Sequence, residues 1–156
     1  MDFPQAMRVL AAFDRHRVEY VLVGSMAMAA QGLVRATRDM DVFVASDAAN
    51  VDRLKSALRE LFDDPAIDEI RAAELAGDYP ALQYVPPEGD FWIDILARLG
   101  EAFRFADLES ELLEVEGIRI RVATPRMLYR MKRDTVRPQD RLDAEMLKQR
   151  FGLEEE

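Results

Sequence analysis

Cysteine is absent from the 156 residues, which excludes disulfides and thiolate metal sites. A reducing compartment is compatible with this, and a cytoplasmic location is the expectation. Histidine and tryptophan occur once each, as His16 and Trp92. No apolar run approaches the roughly 20 residues that a helix needs to cross a bilayer. Met1-Asp2 opens a mixed stretch with no basic patch leading into an apolar run, so neither a signal peptide nor a membrane partner is expected. The Gly-rich loops of P-loop and dinucleotide sites are missing. There is no internal repeat and no low-complexity stretch. Positive charge is scarce: the chain carries a net −9, which argues against a broad nucleic-acid-binding surface.

What positive charge there is gathers near the C-terminus. Residues 125–150 hold eight Arg or Lys against four acids, a net of +4, and Glu154–Glu156 add −3, which leaves −10 on residues 1–124. A cationic segment beside an acidic body can hold phosphates close to carboxylate-bound cations. A solvated helix face explains the same run. Hydrophobic residues make up 49% of the chain, enough for a core in one domain.

Periodicity predicts a helix over 4–16 and a strand over 18–23. Gly24-Ser25 breaks that strand, and strong helix formers follow over 26–31. A second strand is expected over 39–44. A helix over 48–62, capped by Ser46 or Asp47, follows it. Two hairpins are expected, the first from 81–85 and 90–96 about Pro86–Gly89. The second joins 111–115 to 118–122 about Glu116-Gly117. Thr124-Pro125 starts a helix to about 134, and Pro138 starts another that Gly152 stops. The order implies an α/β (α+β) fold: a small mixed central sheet flanked by helices, ending in a helical pair. Residues 1–156 read as a single domain, with 1–123 as its core and 124–152 as the pair.

Asp39 and Asp41 are two apart on a strand, so both carboxylates face the same side. Such a pair is costly unless something offsets the repulsion, and hard oxygen donors suit Mg²⁺. The plainer alternative is two acids on an exposed face beside Arg35 and Arg38. Asp94 is the lone acid in Phe-Trp-Ile-Asp-Ile-Leu. An acid within an apolar strand needs a partner: a cation, a neighbouring arginine or its own proton. Gly24-Ser25 lies between a strand and a helix, where backbone N–H groups and a hydroxyl can meet a phosphate. Each element is weak alone.

Together they are specific. The run Val-Gly-Ser-Met-Ala-Met-Ala-Ala-Gln-Gly-Leu-Val-Arg-Ala-Thr-Arg-Asp-Met-Asp-Val-Phe-Val over 23–44 resembles the signature of the DNA polymerase β-like nucleotidyltransferase superfamily. Its spacing, with Arg35-x-Thr37-x-Asp39-x-Asp41, looks like the AbiEii-type toxin branch and its relatives. Lys132 followed by Arg137-Pro138-Gln139-Asp140-Arg141-Leu142-Asp143 is similar to that branch's C-terminal motif, with Gln139 where a lysine is usual. The resemblance implies a nucleotidyltransferase fold and a two-metal site with Mg²⁺, or Mn²⁺ in its place, on Asp39, Asp41 and Asp94. It implies Gly24, Ser25, Arg35, Thr37, Lys132 and Asp140 as nucleotide-binding residues and Asp94 as the base for an acceptor hydroxyl. The reaction implied is transfer of a nucleoside monophosphate from a nucleoside triphosphate such as ATP, with pyrophosphate leaving. The acceptor is left open among tRNA, a protein side chain and a small molecule. A cognate antitoxin is the implied macromolecular partner. Two other readings use the same residues: a catalytically inactive binding or antitoxin module, and a metal-dependent phosphohydrolase.

His16, between Arg15 and Arg17 at a helix end, reads as a helix C-terminal cation rather than a catalyst. Trp92 reads as core. Tyr79 and Tyr84 are equally suited to stacking a base and to packing, and the methionines read as adaptable core filler.

Overall fold

The computed structural model describes residues 3–33, 37, 39–88 and 90–153. The chain opens with α1 (Phe3–Arg15), β1 (Tyr20–Val23), α2 (Gly24–Ala30), β2 (Asp39–Val44) and α3 (Ala48–Leu61). A 3₁₀ turn (Pro65–Glu69) and α4 (Ala72–Ala76) lead to β3 (Ala81–Tyr84) and β4 (Trp92–Leu96). Two-residue strands β5 (Arg98–Leu99) and β6 (Phe103–Arg104) follow, with a 3₁₀ turn over Phe105–Asp107. The chain closes with β7 (Ser110–Val115), β8 (Ile118–Ala123), α5 (Pro125–Arg133) and α6 (Pro138–Phe151).

Six strands make one mixed sheet in the order β3-β4-β2-β1-β8-β7. Both expected hairpins form, β3 with β4 and β7 with β8, each antiparallel. β1 and β2 are also antiparallel, whereas β2 runs parallel to β4 and β1 to β8. The turn between β7 and β8 places Glu116 at φ 52° and Gly117 at φ 79°. Two positive φ values in succession are what a tight hairpin with the native strand twist requires, and glycine takes the second without strain.

Alternation sorts the centre of the sheet into two faces. Met40, Val42, Ile93 and Ile95 are fully buried; Asp39, Asp41, Trp92 and Asp94 are half-buried on the opposite face. α1 and α3 pack against each other, and α3 is tied to the first strands by Asn50. The Asn50 side chain is fully buried. Its Oδ1 accepts from the Glu19 backbone N–H at 2.7 Å, and its Nδ2 donates to the carbonyls of Glu19 and Ala45 at 3.0 and 2.8 Å. Of the two cap candidates for α3, Asp47 is the one whose side chain accepts from Asn50 N.

Thr124 caps α5 by accepting from Met127 N at 3.2 Å, with Pro125 in the first turn. Gly152, at φ 63°, ends α6. α5 packs on α6, α2 and β8, which brings the helical pair over the carboxylate-bearing end of the sheet. Among the described residues no helix is long and apolar enough to cross a membrane.

Candidate active site

The register of β2 against β4 sets Asp41 directly opposite Asp94, with Asp39 opposite Trp92. Paired residues on parallel neighbours share a face, so three carboxylates converge. One ligand oxygen from each of Asp39, Asp41 and Asp94 lies within 4.8 Å of the others. No described cation makes a salt bridge to any of the three. The arginine partner considered for Asp94 is therefore not seen among the described residues. Instead Gln83, opposite Asp94 on β3, donates from Nε2 to its Oδ1 at 3.4 Å.

Crowding and burial show in the proton affinities. Burial pushes the Asp41 carboxyl up to about 7, helped by a hydrogen bond with Asp94 and by the charges of Asp94 and Asp39; the Lys132 ammonium opposes this. Asp39 is also raised, first by burial and then by the Asp94 charge, with Arg137 pulling the other way. Burial is the first cause of both shifts, and the mutual repulsion of the acids adds to it.

Gly24 explains how the first strand meets this cluster. Its φ is +71°, and a Cβ there would sit 2.2 Å from Oδ2 of Asp41 and 3.1 Å from its Cγ. Glycine suits the position on both counts: any other residue is strained at this φ, and its Cβ would require the Asp41 carboxylate to shift. The sequence placed Gly24-Ser25 before the helix, but α2 already begins at Gly24.

Above the carboxylates opens a cavity of about 770 Å³, which Gly24, Ser25, Asp39, Asp41, Asp94, Lys132 and Asp140 all line. Seven expected site residues thus meet in one place. Thr37 does not line the cavity. Its hydroxyl accepts from Asp39 N at 3.1 Å and lies 3.3 Å from the Asp39 carbonyl, so it braces the start of β2. Arg35 lies outside the described residues.

The helical pair supplies the opposite wall. Lys132 is buried and donates to Asp143 Oδ2 at 2.8 Å and to Asp140 Oδ1 at 3.5 Å. Asp143, only 1% exposed, also accepts from Gln139 Nε2 at 2.9 Å. Gln139 and Asp143, positions of the C-terminal motif, line the cavity too, as does Gln83, which nothing in the sequence singles out. Asp143 is three residues beyond Asp140, one helical turn, so the Asp-x-x-Asp spacing of the motif puts both carboxylates on the side of α6 that meets Lys132.

The residues set aside behave mostly as read. His16 Nε2 lies 3.0 Å from Glu60 Oε1, and Arg15 pairs with the same carboxylate. Tyr84 is buried on the far face, its ring 6.1 Å from that of Phe62, and its hydroxyl donates to Asp64 at 2.8 Å. That removes it as a base-stacking candidate. Trp92 is half-buried on the carboxylate face rather than in the core.

Solved structures share this architecture. The Thermotoga maritima protein TM1012, assigned provisionally as a nucleotidyltransferase, is 18% identical with a TM-score of 0.56, over 97% of this chain and 96% of that one. The lincosamide antibiotic adenylyltransferase LnuA, solved with lincomycin, is 14% identical with a TM-score of 0.58, over 95% of this chain and 97% of that one. ANT(2″)-Ia, solved with adenylyl-2″-tobramycin, is 14% identical with a TM-score of 0.57, over 96% and 88%. The fold is therefore that of the nucleotidyltransferases. A comparison with curated proteins gives no match. The sequence pattern of the nucleotidyl transferase AbiEii toxins of type IV toxin–antitoxin systems matches residues 7–150, and this chain belongs to that nucleotidyltransferase family.

Proposed function

We propose that this protein transfers a nucleoside monophosphate from a nucleoside triphosphate to a hydroxyl acceptor, with pyrophosphate as the leaving group. The observation that carries the reading is the convergence of Asp39, Asp41 and Asp94 within 4.8 Å in a cavity that Gly24, Ser25 and Lys132 also line. Three close oxygen donors with no salt-bridging cation among the described residues fit a hard divalent ion, and Mg²⁺ is the choice that keeps room for substrate phosphates. Ions held there would neutralise the triphosphate and stabilise the entering and leaving oxygens.

The chain's own residues then divide the work. Gly24 and Ser25 sit on the β1 side of the carboxylates and bind the triphosphate through backbone N–H and hydroxyl. Lys132, on the opposite wall, contributes positive charge toward the same phosphates. Asp94 takes the proton of the acceptor hydroxyl as that oxygen bonds to the α-phosphorus and the bond to the β-phosphate oxygen breaks. Gln83 orients the Asp94 carboxylate for this. Thr37 holds the backbone of Asp39. In this reading residues 1–123 form the catalytic core and 124–152 the helical pair of one domain.

The family implies a toxin role with a cognate antitoxin, and the solved neighbours include antibiotic adenylyltransferases. Acceptors to test are therefore tRNA, protein and small hydroxyl compounds. The test incubates the folded protein with each α-³²P nucleoside triphosphate, Mg²⁺ and each acceptor class. Label transferred to one acceptor with stoichiometric pyrophosphate supports the reading; absence of both transfer and triphosphate binding overturns it.

A further inference from the structure

Lys132 does not stand free in the cavity wall; it is one link in a chain of five side chains. Thr135 Oγ1 donates to Asp140 Oδ2 at 3.0 Å, and Asp140 Oδ1 lies 3.5 Å from Lys132 Nζ. Lys132 Nζ donates to Asp143 Oδ2 at 2.8 Å, and the other Asp143 oxygen accepts from Gln139 Nε2 at 2.9 Å. All five residues line the cavity.

Asp143 is the buried member, at 1% exposure, and a buried carboxylate is held by whatever satisfies its two oxygens. Lys132 takes one and Gln139 takes the other. We propose that Gln139 is a positioning residue: it fixes the Asp143 carboxylate so that Asp143 in turn aims the Lys132 ammonium across the cavity at the triphosphate site. This rests on the reading of the cavity as a triphosphate site.

The neutrality of Gln139 matters as much as its hydrogen bond. An amide donates to Asp143 without adding a positive charge of its own that would compete with Lys132. Asp140 is farther from the ammonium and shares its charge with Thr135 and, at 4.0 Å, with Arg137. Lys132 is thus held at one short contact and one long one. That geometry keeps it in place yet leaves its third N–H donor for a phosphate.

The test is binding, so it does not depend on knowing the acceptor. Affinities of α,β-methylene analogues of the four nucleoside triphosphates, with Mg²⁺, are measured by calorimetry for the wild type and Gln139→Met. Methionine keeps the length and helix propensity but removes the donor, and position 139 is exposed, so folding is not at risk. The same substitution is then made in a Lys132→Met, Asp143→Leu background, in which the pair to be positioned is gone. We expect Gln139→Met to weaken binding about three- to tenfold in the wild type and to be silent in the background. Unchanged affinity in the wild type overturns the proposal. An equal loss in both backgrounds also overturns it, because Gln139 would then touch the nucleotide directly. Wild-type protein that binds none of the analogues removes the triphosphate site itself, and the proposal with it.

Discussion

Buried charge is handled in opposite ways on the two walls of the cavity. On the sheet side, Asp39, Asp41 and Asp94 crowd together with no described cation in salt-bridge contact. On the helical side, Lys132 lies between Asp140 and Asp143, and Thr135 and Gln139 satisfy the remaining oxygens. The helical wall is complete as it stands. Among the described residues the sheet wall has no such partner, and burial and crowding raise the proton affinity of Asp41. In the proposed reading the helical cluster contributes stability and the sheet cluster binds the ligand.

The sharpest way to break this contrast is to remove one acid from the floor. Asp94→Asn keeps the shape of the side chain and the partner on Gln83 but cannot take a proton. Transfer should fall on the order of 10²- to 10⁴-fold, the usual contribution of a general base. The protein should stay folded, because removing one of three crowded acids relieves repulsion. Single-turnover transfer of radiolabelled nucleotide measures the first effect and thermal unfolding the second. A loss below tenfold would place Asp94 outside the chemistry.

The helical wall should respond the other way. Lys132→Met removes the ammonium that the buried Asp143 carboxylate accepts from at 2.8 Å, and breaking a buried pair from one side costs about 3–5 kcal/mol. Adding Asp143→Leu should recover most of that, since an apolar pair of similar volume is tolerated. Urea unfolding of the single and double variants decides. If the single variant loses under about 1 kcal/mol, the pair is solvated and the walls do not differ as described.

A pH series sharpens the floor further. Asp41 titrates near 7 in the folded chain, against about 3.9 for an unperturbed aspartate. From pH 4 to 7 the unfolded chain has released this proton while the folded chain retains it. The unfolded state then binds fewer protons, so stability falls as pH rises. The contribution is fully present below about pH 4 and lost as pH passes through 7. Asp41→Asn removes it, so the variant should gain on the wild type across that window, by on the order of 4 kcal/mol at pH 8. Mg²⁺ should reverse the wild-type loss and leave the variant unmoved. Parallel curves for the two proteins would show that Asp41 ionises normally.

How much of this was legible in the sequence depended on the length of each signal. The helices α1, α3, α5 and α6 and both hairpins follow from apolar spacing, caps and turn residues that extend over many positions. Asp39 and Asp41 share a face because strand period is fixed, and Asp94 stood out as the lone polar residue in its strand. β5 and β6 were missed because two-residue strands carry no period. Tyr84 was ambiguous because a four-residue strand does not say which alternate set meets the core; pairing with Ile93 decides it. Gln83 and Gln139 gain their roles from partners brought close by register and helix packing, and an uncharged amide gives no sign of that in a sequence. The positive segment over 125–150 was read as one surface, but folding turns Lys132 inward while Arg133 and Arg137 stay partly or largely exposed.

The smallest predicted effect tests how tightly the floor is built. Gly24→Ala meets two obstacles at once. The φ of +71° costs an L-residue roughly 1–2 kcal/mol on its own. The new methyl would also lie 2.2 Å from Oδ2 of Asp41, so that carboxylate must swing away. The two costs can be separated in an Asp41→Ala background, where only the backbone term remains. If the close approach matters, Gly24→Ala should cost more stability in the wild type than in that background, and it alone should weaken Mn²⁺ binding followed by electron paramagnetic resonance. Equal costs in both backgrounds, with Mn²⁺ affinity unchanged, would mean that Asp41 has room to move. The floor would then be a loose group of acids rather than one held in place by the first strand.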